Sequence, residues 1–316
     1  MNLAYKHIFA SDIAKKWRET KVIVRAGSSG RSYCFSEDKT AEKFTPELIA
    51  WQYKTLQSIF QFKDTDRVFA LFKQSATGKE ARRINIIWSS ALLPFLVFHS
   101  VDDECPLEMD LPGFGRKIFT RVQFEFPNHI KNGGGPSSVD VVLSNEEGEV
   151  LFLESKLTEY LKMDCTGPDE LPCVTYGEQY RKLMMEKWNK VSISMKELID
   201  KKGRPAFRLV SDKPHYLTGI KQMISHYMGI RDDWERIQER IQCSKAYLAE
   251  VLFDFGNEMF GKNVNPLDDY RKMHSELVRH LSSEAGPINI VQKVLTYQTV
   301  TKGMRLPPLV AKFYGL

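Results

Sequence analysis

The chain has 316 residues, of which 42% are hydrophobic, 27% charged and 11% aromatic, a composition that is typical of a folded globular protein and excludes a largely disordered one. The formal net charge of +5 only weakly favours a polyanionic partner. The charge is uneven, because residues 176–316 carry 23 Lys and Arg against 16 Asp and Glu, whereas residues 1–175 carry 22 against 24.

The five cysteines are odd in number and form no C-x-x-C pair, which favours reduced thiols in a cytoplasmic protein. The N-terminal run MNLAYKHIFASDIAKKW lacks the long apolar centre of a secretory signal. The most apolar stretch, residues 84–101, is interrupted by polar side chains, so we expect no membrane span.

Helical patterns dominate the first hundred residues. An amphipathic helix is expected over residues 5–18, and apolar spacing predicts a second helix over residues 46–62 that begins at Pro46. The mostly apolar run IIWSSALLPFLVFH, residues 86–99, predicts a buried helix that is kinked or begins near Pro94.

Three strands are predicted next. FTRVQFEF, residues 119–126, alternates, so Val122, Phe124 and Phe126 should share one face of a half-buried strand. The second and third strands should span residues 138–144 and 150–156, with the turn SNEEGE between them.

The remainder of the chain is again mainly helical. Helices are predicted over residues 178–199, 214–230 and 266–282, and a strand over residues 244–256.

This order predicts an α/β protein with an αβββαβ core, in which a mixed sheet is flanked by helices. We place the core at residues 86–260, with mainly helical elaborations at residues 1–85 and 261–316, all in one compact unit.

Charged residues interrupt two of the apolar strands. Asp140 precedes VVL, and Glu154 and Lys156 follow VLFL. Glu154 and Lys156 are two residues apart, so they project from one face of their strand. Antiparallel pairing through the turn would bring Asp140 beside Glu154. A surface hairpin with a structural Glu–Lys pair is the alternative.

Two adjacent carboxylates repel each other, and a divalent cation would remove the repulsion. Mg²⁺ prefers oxygen ligands and often uses one or two carboxylates together with a phosphate. Such a cation activates a water molecule, and Lys156 would orient that water or stabilise the charge that develops on phosphorus. This chemistry suits hydrolysis of a phosphodiester.

The runs PSSVD and LFLESK resemble the PD-(D/E)xK nuclease superfamily, which has the restriction-endonuclease-like fold; the matching residues are Asp140, Glu154 and Lys156. Pro136 departs from the pattern because it lies four residues before Asp140. WSSALLPFLVFH, FEF, GGGPSSVDVVL and FLESKLTEY are similar to a group of uncharacterised bacterial restriction-endonuclease-like proteins, over roughly residues 86–230.

The resemblance implies dependence on Mg²⁺ or Mn²⁺ and cleavage of nucleic acid. It assigns the metal to Asp140 and Glu154, joined by the Ser155 carbonyl. The superfamily often adds an acid from the helix before the strands, but residues 86–99 contain none. Glu125 is our candidate for this catalytic role, ahead of Glu80 and Glu47; the alternative for Glu125 is a surface charge.

Further polar residues are candidates for contacts with nucleic acid or with the site. Gln222 and His226 lie four residues apart on one predicted helix face and resemble the Q-x3-Y motif of RecB-type nucleases, with His in place of Tyr. A solvent-facing Gln and a structural His are the alternative. Gln179, beside Tyr176 and Tyr180, and Ser138 in the PSSVD run are similar candidates.

The sequence therefore predicts a metal-dependent nuclease that acts on DNA, with a homodimer suited to cutting both strands. One alternative is a protein that keeps the nuclease fold but only binds nucleic acid or serves a structural role. The other is an unrelated α/β binding module in which the hairpin is a coincidence.

Overall fold

The structure is a computed structural model. It describes residues 25–26, 33–37, 45–78, 80–87, 89–130, 137–157, 170–172, 194–199, 205–210, 217–256, 266–282 and 286–316. The predicted helix over residues 5–18 lies outside these ranges, as do Tyr176, Gln179 and Tyr180.

Helices form most of the N-terminal part. Thr45 caps the first long helix, where its hydroxyl accepts from the Leu48 N–H at 3.2 Å, and Pro46 occupies the first turn as predicted. The elements are β1 (Arg25–Ala26), β2 (Tyr33–Cys34), α1 (Pro46–Phe60), α2 (Asp66–Ser75), a 3₁₀ turn (Glu80–Arg82) and α3 (Leu92–Phe98).

Strands dominate the middle of the chain. They are β3 (Leu107–Leu111), β4 (Gly115–Phe119), β5 (Arg121–Asn128), β6 (Ser137–Ser144), β7 (Glu149–Lys156), β8 (Glu170–Pro172), β9 (Ser194–Ile199) and β10 (Pro205–Val210).

The C-terminal part alternates helices and strands. Its elements are α4 (Leu217–Asp232), α5 (Trp234–Ile241), β11 (Lys245–Leu252), α6 (Pro266–Leu281), β12 (Ile288–Ile290), β13 (Leu295–Thr296), α7 (Tyr297–Val300) and α8 (Pro308–Tyr314). Within the described ranges, no helix combines the length and apolar character that a membrane span requires.

A mixed sheet of six strands forms the centre of the protein. Its order is β12-β11-β7-β6-β5, and β13 also pairs with β11. Strands β5, β6 and β7 are antiparallel, whereas β11 runs parallel to β7, β12 and β13. The predicted α/β class with a mixed sheet flanked by helices is therefore confirmed at this level.

Two apolar cores lie on opposite faces of this sheet. The first core joins Leu151 and Leu153 of β7 to helices α1, α2, α3 and α8. The second core joins Val150 and Phe152 of β7 to helices α4, α5 and α6. Because successive side chains of a strand point to opposite faces, β7 is buried on both sides.

The β6–β7 hairpin forms as its sequence predicts. Val141 pairs with Leu153 and Ser144 with Val150, so the turn falls within SNEEGE. The Asn145 side chain accepts from the Glu149 N–H at 2.9 Å, and Gly148 has a φ of 77°, which glycine adopts without strain. Local turn chemistry therefore sets the register of the strands that carry the charged residues.

Strand β5 departs from the predicted alternation. Val122 and Phe124 lie in the first core, but Phe126 lies in the second. The change of face occurs at Glu125, whose φ of 49° is left-handed. This conformation is uncommon for a residue other than glycine and reverses the side-chain direction that simple alternation would require.

Other predictions from the pattern were partly wrong. The predicted helix over residues 178–199 is contradicted at its end, because Ser194–Ile199 pairs antiparallel with Pro205–Val210. The buried helix predicted over residues 86–99 spans only Leu92–Phe98, with Pro94 in its first turn, where proline is tolerated. The β3–β4 hairpin and the strands β12 and β13 were not predicted.

A close approach between α4 and β5 generates a stability prediction. A Cβ atom at Gly229 would overlap the side-chain amide of Asn128, which is fully buried. We expect Gly229→Ala to lower the free energy of unfolding by about 1–3 kcal/mol, because overpacking displaces the helix. Denaturant unfolding measures the change. Adding Asn128→Ala removes the overlap, so a double variant no more stable than Gly229→Ala would contradict the explanation.

Candidate active site

A buried ion pair lies at the end of β7. The side chains of Glu154 and Lys156 share the face of the second core, and the two residues are only 1% and 3% exposed. The Lys156 ammonium donates to Glu154 Oε1. Buried charges are costly unless their partners compensate for lost hydration, so the surface-hairpin alternative does not describe this pair.

Asp140 lies beside this pair on the neighbouring strand. The β6–β7 register that pairs Val141 with Leu153 places Asp140 opposite Glu154. Asp140 Oδ2 accepts from the Ser155 N–H at 2.7 Å, and the carboxyl is half-buried. The hairpin therefore brings together Asp140, Glu154 and Lys156, as the sequence predicts.

Glu125 is the third acid of the cluster. The β5–β6 register that pairs Phe124 with Val141 and Phe126 with Val139 places Glu125 opposite Asp140. Its backbone is left-handed, and its half-buried carboxyl accepts no hydrogen bond from the described residues. Strained backbone of this kind is found preferentially at functional sites.

Helix α4 supplies two donors to Glu154. Gln222 Nε2 donates to Oε1 at 2.6 Å, and His226 Nε2 is 2.7 Å from Oε2. The residues are four apart, so both side chains lie on the same helix face. The sequence identified this pair as a candidate, and its contact with Glu154 favours a role at the site over a solvent-facing position.

Ser137 is a site residue that sequence reasoning missed. Its hydroxyl lies 3.0 Å from His226 Nδ1, so His226 bridges Ser137 on β6 and Glu154 on β7. Ser138, the serine that the sequence analysis selected, is exposed and belongs to no part of this network. Strand alternation would place Ser138 on the face of Asp140, but β6 changes face near Asp140, because Val139 lies in the second core and Val141 in the first.

The electrostatics of Glu154 differ from those of its acidic neighbours. Burial raises the pKa of Glu154, but the charges and hydrogen bonds of Lys156 and His226 outweigh burial and lower the pKa to about 2. Glu154 is therefore a carboxylate at any physiological pH.

Asp140 and Glu125 are shifted in the opposite direction. Burial and the charge of Glu154 raise the pKa of Asp140 well above its usual range. Burial, followed by the charges of Glu154 and Glu80, raises the pKa of Glu125 to about 8. Three carboxyls that repel one another thus share a site with one lysine, which is the pattern expected where a cation or a proton is bound.

The carboxyl oxygens of the cluster have open positions at which a cation could bind. A carboxylate offers about four lone-pair sites; Glu154 uses three, for Lys156, Gln222 and His226, while Asp140 uses one. Oxygen ligands of this kind suit Mg²⁺. Among the described residues, however, no group of three or more His, Cys, Asp or Glu side chains is already arranged as a metal site.

The remaining candidates are more distant. The charge of Glu80 reaches Glu125, which puts the 3₁₀ turn near the site, whereas Glu47 lies exposed in the first turn of α1. The Ser155 hydroxyl is bonded to Tyr297 at 2.7 Å. No described contact bears on the proposed role of the Ser155 carbonyl.

A second buried acid lies next to Glu154 and was also missed. Glu250 on β11 is in register with Glu154 and is 1% exposed. Tyr270 and His274 of α6 each reach its carboxylate at 2.7 Å. The signal available in the sequence was a lone acid inside the apolar strand AYLAEVLF, the same signal that identified Glu154.

Comparisons with protein-family models, with curated proteins and with solved structures found no match to this chain.

The raised pKa of Glu125 predicts that the free energy of unfolding depends on pH when a chelator keeps metal ions away from the site. The folded state holds the proton up to about pH 8, whereas the ordinary pKa is 4.5, so stability falls as the pH rises between these values. We expect Glu125→Gln to raise the unfolding free energy at pH 9 by roughly 1 kcal/mol, a melting-temperature increase of about 2–4 °C, with little change at pH 5.

Glu239→Gln is the control, because Glu239 is an exposed glutamate of α5. Thermal melts of the three proteins at both pH values measure the effect. Equal stabilisation by Glu125→Gln at pH 5 and pH 9 would show that ionisation of Glu125 is not the cause.

Proposed function

We propose that this protein is a metal-dependent nuclease that hydrolyses phosphodiester bonds in DNA. The observation that carries the proposal is the convergence of Glu125, Asp140, Glu154 and Lys156 at one end of the central sheet. Three mutually repelling carboxyls and one buried lysine have no apparent structural benefit, since apolar residues of similar volume would stabilise the strands at least as well.

The topology supports the same proposal. Helix α3 precedes the antiparallel strands β5, β6 and β7, and α4 then leads to β11, which lies parallel to β7. This order supports the αβββαβ core that the resemblance to PD-(D/E)xK nucleases implies, although β3, β4, β8, β9, β10, α5, β12 and β13 are additions to it.

The acids fit a divalent cation by their chemistry. Counting hydrogen bonds from the described residues, Asp140 and Glu125 retain open acceptor positions, and Glu154 retains one. Mg²⁺ or Mn²⁺ bound there would activate a water molecule and neutralise charge on a phosphate oxygen. Cation binding would also remove the repulsion that raises the pKa of Asp140 and Glu125.

Lys156 and Glu125 have distinct roles in this proposal. The Lys156 ammonium is held by Glu154, so it is positioned to stabilise negative charge developing on the phosphorus oxygens. Glu125 is the acid that neither a lysine nor a described hydrogen bond occupies, which leaves its carboxyl available to accept a proton from water.

One observation favours a second candidate function, nucleic-acid binding without cleavage. Three donors already occupy Glu154, and the described acids form no ready metal cage. In that case the protein would bind DNA equally well with and without Mg²⁺, and it would cleave neither linear, circular nor single-stranded DNA.

Substitution of Lys156 tests catalysis. With Mg²⁺ or Mn²⁺ and a mixture of linear, circular and single-stranded DNA, we expect Lys156→Ala and Asp140→Asn each to lower the cleavage rate by at least about 10²-fold. DNA binding should persist in both variants, because neither side chain is exposed on the surface. Gel assays of cleavage and fluorescence anisotropy of binding give the two readouts.

Lys117→Ala is a matched control. Lys117 of β4 donates to Glu149 at 2.7 Å, at the opposite end of β7, so this variant also removes a partly buried lysine partner from a glutamate of β7. Cleavage that survives Lys156→Ala but is lost in Lys117→Ala would refute the assigned site. Metal-independent binding with no cleavage by the wild type would favour the second candidate.

A further inference from the structure

We propose that His226, tethered by Ser137, is a positioning residue that holds Glu154 with one oxygen position open for the cation. This inference rests on the proposed function, and it assigns a role to a Ser–His–Glu chain of hydrogen bonds. The chain consists of Ser137 Oγ, the two ring nitrogens of His226 and Glu154 Oε2, with separations of 3.0 Å and 2.7 Å.

The hydrogen atoms of this chain can be assigned from its chemistry. A glutamate that binds a cation is ionised and can only accept hydrogen bonds, so His226 Nε2, 2.7 Å from Oε2, carries the hydrogen that lies between them. In a neutral ring Nδ1 then has a lone pair and Ser137 donates to it; in an imidazolium ring Nδ1 donates to Ser137. Either way, Ser137 fixes the ring orientation in which Nε2 faces Glu154.

The contacts restrict where Glu154 can bind a cation. Lys156 and Gln222 both donate to Oε1, which fills that oxygen, while His226 takes one of the two positions on Oε2. With respect to the part of the chain that the structure describes, one position on Oε2 remains. Without His226 only Oε1 would be held, by Lys156 and Gln222, so the direction of the open position on Oε2 would no longer be fixed.

The location of His226 explains why such a tether is needed. Within the described hairpin, the paired residues of β6 and β7 end at Val141 and Leu153. Asp140 and Glu154 lie just beyond this point, where the ladder no longer holds the strands in register. His226 is buried there and contacts both strands, so together with the Ser155–Asp140 hydrogen bond it links β6 to β7 beyond the last paired residues.

Two amide substitutions separate the contacts of the ring. Glutamine places its amide near the position of Nε2, so His226→Gln keeps a donor to Glu154; asparagine places its amide near Nδ1, so His226→Asn keeps only the contact with Ser137. The measurement is Mn²⁺ binding to the full chain by titration calorimetry, with cleavage kinetics as the second readout.

We expect His226→Asn to raise the Kd for Mn²⁺ by about 10–100-fold, as is usual for residues that orient a metal ligand. His226→Gln should stay within about 3-fold of wild type, and Ser137→Ala should fall between them. At saturating Mn²⁺, cleavage by His226→Gln should recover to near the wild-type kcat. Ser137→Ala leaves the core intact, so it tests the inference even if His226→Asn does not fold.

His274→Gln is the control for the loss of a buried histidine. His274 also contacts a buried glutamate, Glu250 on the adjacent strand, but through Nδ1 rather than Nε2, so glutamine at this position removes the contact; His274 lies outside the proposed site. We expect this variant to lose thermal stability without a change in Mn²⁺ affinity.

The outcomes distinguish this inference from the proposed function. Wild-type binding of Mn²⁺ and cleavage, with unchanged affinity in His226→Asn and Ser137→Ala, would overturn the inference alone. Absence of both Mn²⁺ binding and cleavage in the wild type would overturn the proposed function and the inference together. A nitrogen-15 spectrum showing a neutral His226 ring protonated at Nδ1 would also overturn the inference.

Discussion

The constraint on which the site depends is the burial of the Glu154 carboxylate inside an apolar strand. A charge at 1% exposure is tolerated only if neighbouring donors replace the hydration it has lost. Lys156 supplies one donor from the same strand, and Gln222 and His226 supply two from α4. The docking of α4 on the sheet is therefore determined by these polar contacts as well as by the apolar residues of the second core.

The neighbouring strand repeats this arrangement. Glu250 is in register with Glu154 and receives a histidine and a tyrosine from α6, as Glu154 receives a histidine and a glutamine from α4. Removing one partner of such a buried pair typically costs about 3–5 kcal/mol. The two clusters differ in their neighbours: Glu154 also pairs with Lys156 and lies beside the half-buried acid Asp140, whereas β7 separates Glu250 from Asp140 and Glu125. Because Glu154 lies close to Asp140 and Glu125, we treat it as a candidate catalytic acid, and we treat Glu250 as a structural one.

The sequence allowed the hairpin, the class of fold and most of the acidic cluster to be predicted, because strand alternation and a Gly-containing turn are local. Gln222 and His226 were also found from helical spacing, although their contact with Glu154 depends on how α4 packs. The change of face at Glu125 was not predictable, since nothing in FEF signals a left-handed residue. Ser137 and Glu250 were missed because their roles arise only when α4 and α6 place histidines beside them.

The three acids differ in pKa and in the hydrogen bonds that they accept, and this difference bears on how a cation would be held. Glu154 is already compensated by three donors and has a pKa of about 2, so a cation gains little by neutralising it further. Asp140 and Glu125 have raised pKa values and unfilled oxygens, so ionising them together requires a nearby positive charge. If the proposed cation binds, Glu154 and its donors would supply a fixed geometry, while Asp140 and Glu125 would supply the charge that attracts it. The left-handed backbone of Glu125 lies opposite Asp140, at the point where β5 changes face, so the backbone strain is located at the acidic cluster itself.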